Sequence, residues 1–253
     1  GGLATVIPGT GMSAKSDPPT PAVLVPAVGS APGKVDSIKI SKVSSTPVFQ
    51  NDSSKQVTIS FTVDQPCAAT VDIHGLECVP QFMGGITVNL SSNVARKLTT
   101  KCMPGINNVT WDGRSDSGSM VSNGVYAYRI NAVNGGTAAV PYAPSYQSGP
   151  VAFTNFVIDT NFCFQANERM QVAYDLQAPA FVMIAVPQKA NPVVWGEPRD
   201  KGQNVEFYDG RNSMNGSLLY GQFGLNILTQ VLPENAIVVK RGGAEFISRL
   251  QTE

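Results

Sequence analysis

Along much of the chain after residue 56, apolar and polar residues alternate with period two. "VTISFTV" (57–63), "ATVDI" (69–73), "NNVTW" (107–111) and "GVYAYRINAV" (124–133) each place one apolar face opposite one polar face. Half-buried antiparallel strands carry this signature. The pattern returns in "QVAYDL" (171–176), "FVMIAV" (181–186), "QNVEFY" (203–208), "FGLNILTQV" (223–231) and "AIVVK" (236–240), with turn residues at "DGR", "NGG" and "LPEN". Short strands punctuated in this way, roughly seven in each run of about 100 residues, predict an all-β chain of two tandem immunoglobulin-like β-sandwiches. The Cys…Trp…Cys spacing of antibody domains is absent, so the expectation rests on periodicity.

The two halves align with each other. "WDGRSDSGSMVSNGVYAYRI" (111–130) and "YDGRNSMNGSLLYGQFGLNI" (208–227) match without a gap: Asp112 with Asp209, Gly113 with Gly210, Arg114 with Arg211, Gly124 with Gly221. Upstream, "ISFTVDQPCAATVDI" (59–73) pairs with "VAYDLQAPAFVMIAV" (172–186), and Phe49-Gln50 pairs with Phe164-Gln165. The offset falls from 113 residues at Pro66/Pro179 to 97 at Asp112/Asp209, so the first copy holds 16 additional residues between Ile73 and Trp111. An internal repeat of this kind marks one structural unit used twice. The expected division is an arm at 1–36, a first sandwich at 37–146 with an insertion, and a second sandwich at 147–253.

The insertion carries Cys78 and Cys102, which have no counterparts in the second copy. A long insertion costs closure entropy that a disulfide across its base offsets. A Cys78–Cys102 bridge is therefore expected, and with it an oxidising compartment. Cys67 and Cys163 remain, free to bridge the two domains or to join separate molecules; spacing does not choose between these.

Residues 1–36 belong to neither copy and are rich in Pro, Gly, Ala and Ser, too poor in large apolar groups to make a core. Yet "LATVI" and "AVLVPAV" are apolar segments that a solvating linker would not need. Leu3, Val6, Ile7, Val23, Leu24 and Val25 are the expected contacts of an arm that docks in extended form on a sheet edge or groove, its own or a neighbour's, with the neighbour preferred.

Composition narrows the function. Lys+Arg and Asp+Glu balance at 18 each, which gives no argument for nucleic acid or an anionic membrane as partner. Charged residues are only 14%, so little repulsion keeps copies apart. No apolar run approaches the roughly 20 residues of a membrane span. "GGLATVIPG" at the start fits either a run left by signal-peptide removal or an arbitrary chain boundary.

Candidate chemistry is sparse. The single histidine, His74, ends a strand before Gly75 and reads as a satisfied turn residue rather than a general base. No nucleophile elbow, paired Cys-x-x-C or H-E-x-x-H motif occurs, and no metal or cofactor site is expected. Asp112 and Asp116 do not follow a calcium-loop spacing. Trp111, Tyr126, Tyr128, Tyr208 and Phe223 sit at alternating strand positions, where core packing outweighs a sugar-binding platform.

The stretch "NNVTWDGRSDSGSMVSNGVYAYRINA" resembles the FlgD-type immunoglobulin-like domain, named for the flagellar hook-capping protein and found in secreted bacterial surface proteins. Trp111-Asp112-Gly113-Arg114, Asp116, Gly118, Gly124, Tyr126, Tyr128 and Ile130 carry the resemblance; the second copy keeps it weakly, through Tyr208-Asp209-Gly210-Arg211. The resemblance implies a structural or adhesive module outside the cytoplasm and no reaction. The expectation is a secreted or cell-surface bacterial subunit, not an enzyme, that polymerises with itself into a pilus-like filament or sheath through its arm. A surface adhesin or carbohydrate-binding module with glycan contact is the alternative.

Overall fold

The structure is a computed structural model and describes residues 37–50, 55–82, 84–144, 146 and 149–240. The arm positions Leu3, Val6, Ile7, Val23, Leu24 and Val25 lie outside these residues. The described chain is all-β, with two single-turn 3-10 segments (Phe164–Ala166 and Pro187–Lys189). Its strands are β1 (Ile40–Ser45), β2 (Val48–Gln50), β3 (Val57–Val63), β4 (Cys67–Pro80), β5 (Ile86–Cys102), β6 (Gly105–Trp111), β7 (Gly124–Asn134), β8 (Thr137–Ala138), β9 (Phe153–Ile158), β10 (Met170–Leu176), β11 (Ala180–Val186), β12 (Asn191–Arg199), β13 (Gly202–Tyr208), β14 (Asn226–Val231) and β15 (Ile237–Lys240).

Two sheets build each sandwich. In the first, β1-β3-β6 faces β2-β15-β7-β4-β5; in the second, β9, β10 and β13 form one sheet and β12-β11-β14 the other. Alternation explains the burial. Val57, Ile59, Phe61 and Val63 of β3 point inward between exposed or half-buried Thr58, Ser60 and Thr62. Met170, Val172, Tyr174 and Leu176 of β10 do the same. The registers agree as well: Val57 lies opposite Trp111, and Met170 opposite Tyr208. The first core gathers around Trp111, Tyr128 and Phe61, the second around Tyr174, Met170 and Ile184.

The expected division at residue 146 is crossed by the last described strand. β15 leaves the second half and enters the first sandwich, antiparallel to β7 (Ile237 opposite Tyr126) and parallel to β2 (Val238 opposite Val48). Ile237 and Val239 are fully buried in the first core. The second sandwich is thus inserted ahead of the strand that completes the first. A third cluster, Val88, Val125, Phe181, Ala236 and Val238, packs the halves together.

The 16-residue insertion falls between Cys67 and Cys102. It lengthens the β4–β5 hairpin to strands of 14 and 17 residues, whereas β11 and β12 have 7 and 9. The far end of the long hairpin meets the second sandwich. The Phe82 and Trp195 rings lie 4.5 Å apart, and a Cβ built on Gly196 would come within 2.7 Å of Cys78 Sγ.

Candidate functional site

The repeated turn has the same geometry in both copies. Gly113 and Gly210 hold φ of 74° and 73°, the left-handed region that favours glycine. Arg114 N donates to Asp112 Oδ1 (3.1 Å) and Arg211 N to Asp209 Oδ1 (2.9 Å). Trp111 Nε1 donates to Arg114 O at 2.8 Å, and Tyr208 OH reaches Arg211 O at 3.2 Å. Both arginine side chains reach backbone carbonyls: Arg114 Nη1 donates to Gly118 O (2.8 Å) and Arg211 Nη1 to Gly216 O (3.1 Å), closing each loop on itself. These bonds hold both turns in one shared geometry.

Asp116 has a structural task. Its Oδ1 accepts from Lys97 N at 3.1 Å and lies 3.8 Å from Arg96 Nη1, tying the turn to β5. Ser213 replaces it in the second copy, and there Asn191 of β12 takes over, with Ser213 N donating to Asn191 Oδ1 at 2.8 Å. His74 is buried, its Nδ1 2.9 Å from Ser91 O. Trp111, Tyr126, Tyr128 and Tyr208 are buried in the cores and Phe223 is half-buried, stacked on Phe164 at 6.4 Å. No group of three or more metal-ligating side chains occurs among the described residues.

The cysteines depart from expectation. All four are free thiols. Cys78 cannot meet Cys102, because they sit at opposite ends of the long hairpin: Cys78 lies across from Val88, Cys102 across from Cys67. The insertion lengthened both strands together, so it carried Cys78 away from the base. Burial pushes the Cys78 thiol up to about 12. Nor does Cys67 reach Cys163, which is exposed in the second sandwich with its thiol 3.3 Å from Gln165 Oε1.

Sequence reasoning missed a buried ionic clamp. Arg199, at the end of β12, donates through Nε and Nη2 to both oxygens of Glu206 (2.7 and 3.0 Å), and Tyr174 OH donates to the same carboxylate at 2.8 Å. Opposite charge at this separation holds the Arg199 guanidinium protonated despite its burial. An arginine and a glutamate in "PRDKGQNVEF" carry no period signal, since each lies within a strand whose other residues set the pattern.

Among the described residues, the two copies differ in one strand. In the first sandwich, Gly124–Tyr126 pair with β15. Their equivalents, Gly221–Phe223, belong to no strand, and β14 ends its sheet among the described residues. Thr229 Oγ1 bonds Val151 N and O (3.0 and 2.6 Å) near the far end of β14. Nearer its start, Phe223, Leu225 and Ile227 pack on the second core while staying only half-buried. On the outer face of β9, β10 and β13, apolar side chains stand among the polar Gln171, Asp175 and Gln203. Val157, Ala173, Val205 and Phe207 stand where the first sandwich has Ser44, Ser60, Asn108 and Thr110.

No family model matches the chain, and no curated protein matches it. Among solved structures, the "Crystal Structure of Class 5 Fimbriae Chaperone CfaA" aligns over 75% of this chain and 98% of that one at 10% identity. Its TM-score of 0.24 is too low to carry an argument. No helix among the described residues is long and apolar enough to cross a membrane.

Proposed function

We propose that the protein is a secreted structural subunit that polymerises with itself, the arm of one copy adding a strand beside β14 of the next. The observation that carries this reading is the asymmetry between the copies. The first sandwich receives β15 beside its Gly124–Tyr126 segment, and the second shows no equivalent among the described residues. An extended apolar segment in that place would cover half-buried Phe223, Leu225 and Ile227 and bond to the strand edge. The arm supplies two such segments, "LATVI" and "AVLVPAV". A contact in which one subunit's arm enters the next subunit's sheet is head-to-tail, and repetition gives an open filament unless it closes into a ring. Exposed Val157, Val205 and Phe207, together with a neutral net charge, favour close association in the same half.

The test is deletion of residues 1–30, followed by size-exclusion chromatography and electron microscopy. The full chain assembles, the shortened chain stays monomeric, and a synthetic peptide of residues 1–30 binds the shortened chain. Intact assemblies after deletion would overturn the role of the arm. Glycan binding by the shortened monomer would favour an adhesive or carbohydrate-binding module instead.

A further inference from the structure

Cys67 begins β4 and Cys102 ends β5, and the two are Cα partners across the antiparallel ladder. Directly opposed residues in such a ladder have Cα atoms about 4.5 or 5.5 Å apart, both within the range a disulfide spans. Both side chains face the first core: Cys102 is buried, and Cys67 packs half-buried against the same cluster. Each thiol is near enough to influence the ionisation of the other.

The second copy shows what this place in the fold requires. By the repeat register Cys67 corresponds to Ala180 and Cys102 to Arg199, which are themselves Cα partners. There the end of β12 is held by the Arg199–Glu206 clamp. The position of Glu206 is taken in the first copy by Val109, which offers no charge. β5 is moreover the edge strand of its sheet, with β4 as its ladder partner. A covalent link at its last residue would replace the ionic one.

We propose that Cys67 and Cys102 form a cross-strand disulfide in an oxidising environment, closing the base of the long hairpin. The oxidant is a disulfide of small-molecule or protein origin. Half-buried Cys67, as thiolate, attacks one sulfur of that disulfide, breaking its S–S bond and releasing one thiolate. Cys102, losing its proton, then attacks the Cys67 sulfur and releases the second. Two protons leave the protein and two electrons reduce the reagent. Cys78 takes no part, because it lies at the other end of the hairpin against Gly196, and Cys163 stays a surface thiol. The inference is independent of the arm and its docking.

The full chain, fully reduced and then incubated with oxidised glutathione, provides the test. Peptide mapping without reduction shows one linkage, joining the peptides that carry Cys67 and Cys102, and thermal unfolding rises by about 5–10 °C over the reduced protein. C78S forms the same linkage. C67S and C102S do not, and show no gain in unfolding temperature. A linkage through Cys78 or Cys163, or persistence of both Cys67 and Cys102 as thiols, would overturn the assignment.

Discussion

The side-chain amide of Asn235 donates a hydrogen bond to the backbone carbonyl of Tyr128. Along the same edge of β7, β8 pairs with Val133 and Asn134, Tyr142 with Ile130, and β15 with Tyr126 through Gly124. Tyr128 therefore lies at the handover, where the chain has left for the second sandwich and has not yet returned. Asn235 is fully buried and stands in for the missing backbone donor. Next to it, Tyr142 OH donates to Glu234 Oε1 at 3.1 Å, so both sides of the handover are tied.

Asn235→Ala leaves a buried carbonyl without its donor, which costs about 1–3 kcal/mol. Urea unfolding of the variant reads the loss directly. A change below about 0.5 kcal/mol would mean that water replaces the amide and that the handover needs no side chain.

β15 couples the stability of the two halves. Ile237→Ala removes a fully buried side chain from the first core and is expected to cost about 2–5 kcal/mol. Because that residue is delivered by the second sandwich, fluorescence of Trp111 (first core) and Trp195 (second half) should report one shared transition in the native chain. Single-tryptophan variants, each keeping one of the two, separate the signals. Transitions that fall apart in the native chain would show that the halves unfold independently.

Much of this fold was legible from period-two alternation, since Val57–Val63 and Met170–Leu176 carry their burial in their residue types. The repeat was legible too, because Asp-Gly fixes a turn through glycine's positive φ and an Asp–backbone bond, and both survive at Asp209-Gly210. The route of β15 was not. "IVVK" has the pattern of any half-buried strand, and its choice of sheet depends on Ala236 and Val238 packing against Val88, Val125 and Phe181, which are distant in sequence. The expected Cys78–Cys102 pairing fails for a related reason. An insertion into a hairpin lengthens two strands at once, so a cysteine inside it moves away from the base, while Cys67 and Cys102, at the outer ends of both strands, stay opposed.

Gly210 is restricted twice over. Its φ is 73°, and an added Cβ would lie 2.2 Å from the Phe164 ring. Gly210→Ala therefore strains the backbone and displaces Phe164 from its contacts with Phe162, Tyr208 and Phe223, for a loss of about 2–4 kcal/mol. Gly118→Ala is the control, at φ 82° with open space around the new methyl, and should cost about 1 kcal/mol. Equal losses in calorimetry would show that backbone conformation alone is responsible.

The Arg199–Glu206 clamp predicts opposite results for single and double changes. Glu206→Ala strands a buried guanidinium and is expected to cost about 3–5 kcal/mol, since Glu197 at 3.3 Å offers only partial compensation. Replacing both members, as Arg199→Met with Glu206→Leu, removes the desolvation cost with the attraction and should recover most of the loss. A double variant as unstable as the single one would mean that Tyr174, left without its acceptor, dominates.

Alkaline pH should weaken the junction between the halves through Cys78. Burial raises its folded-state value to about 12 from an ordinary 9, so the folded protein holds the thiol proton more tightly than the unfolded chain does. Below about pH 9 both states are protonated and the buried neutral thiol contributes its full stability. As pH climbs toward 12 the unfolded chain releases the proton first, and stability falls by as much as about 1.4 kcal/mol per pH unit from this group. Cys102, raised to about 11, and Cys67 add losses of the same sign, as do the buried tyrosines Tyr174 and Tyr208 above their ordinary value of 10. Those groups are common to the native protein and Cys78→Ala, so they cancel in the comparison. The variant should be less stable than the native chain at pH 8, where it lacks the packing against Gly196, and the gap should narrow steadily through pH 10 and 11. Urea midpoints on the reduced proteins measure it, and parallel curves over that range would show that Cys78 ionises in the folded state as readily as in the unfolded one.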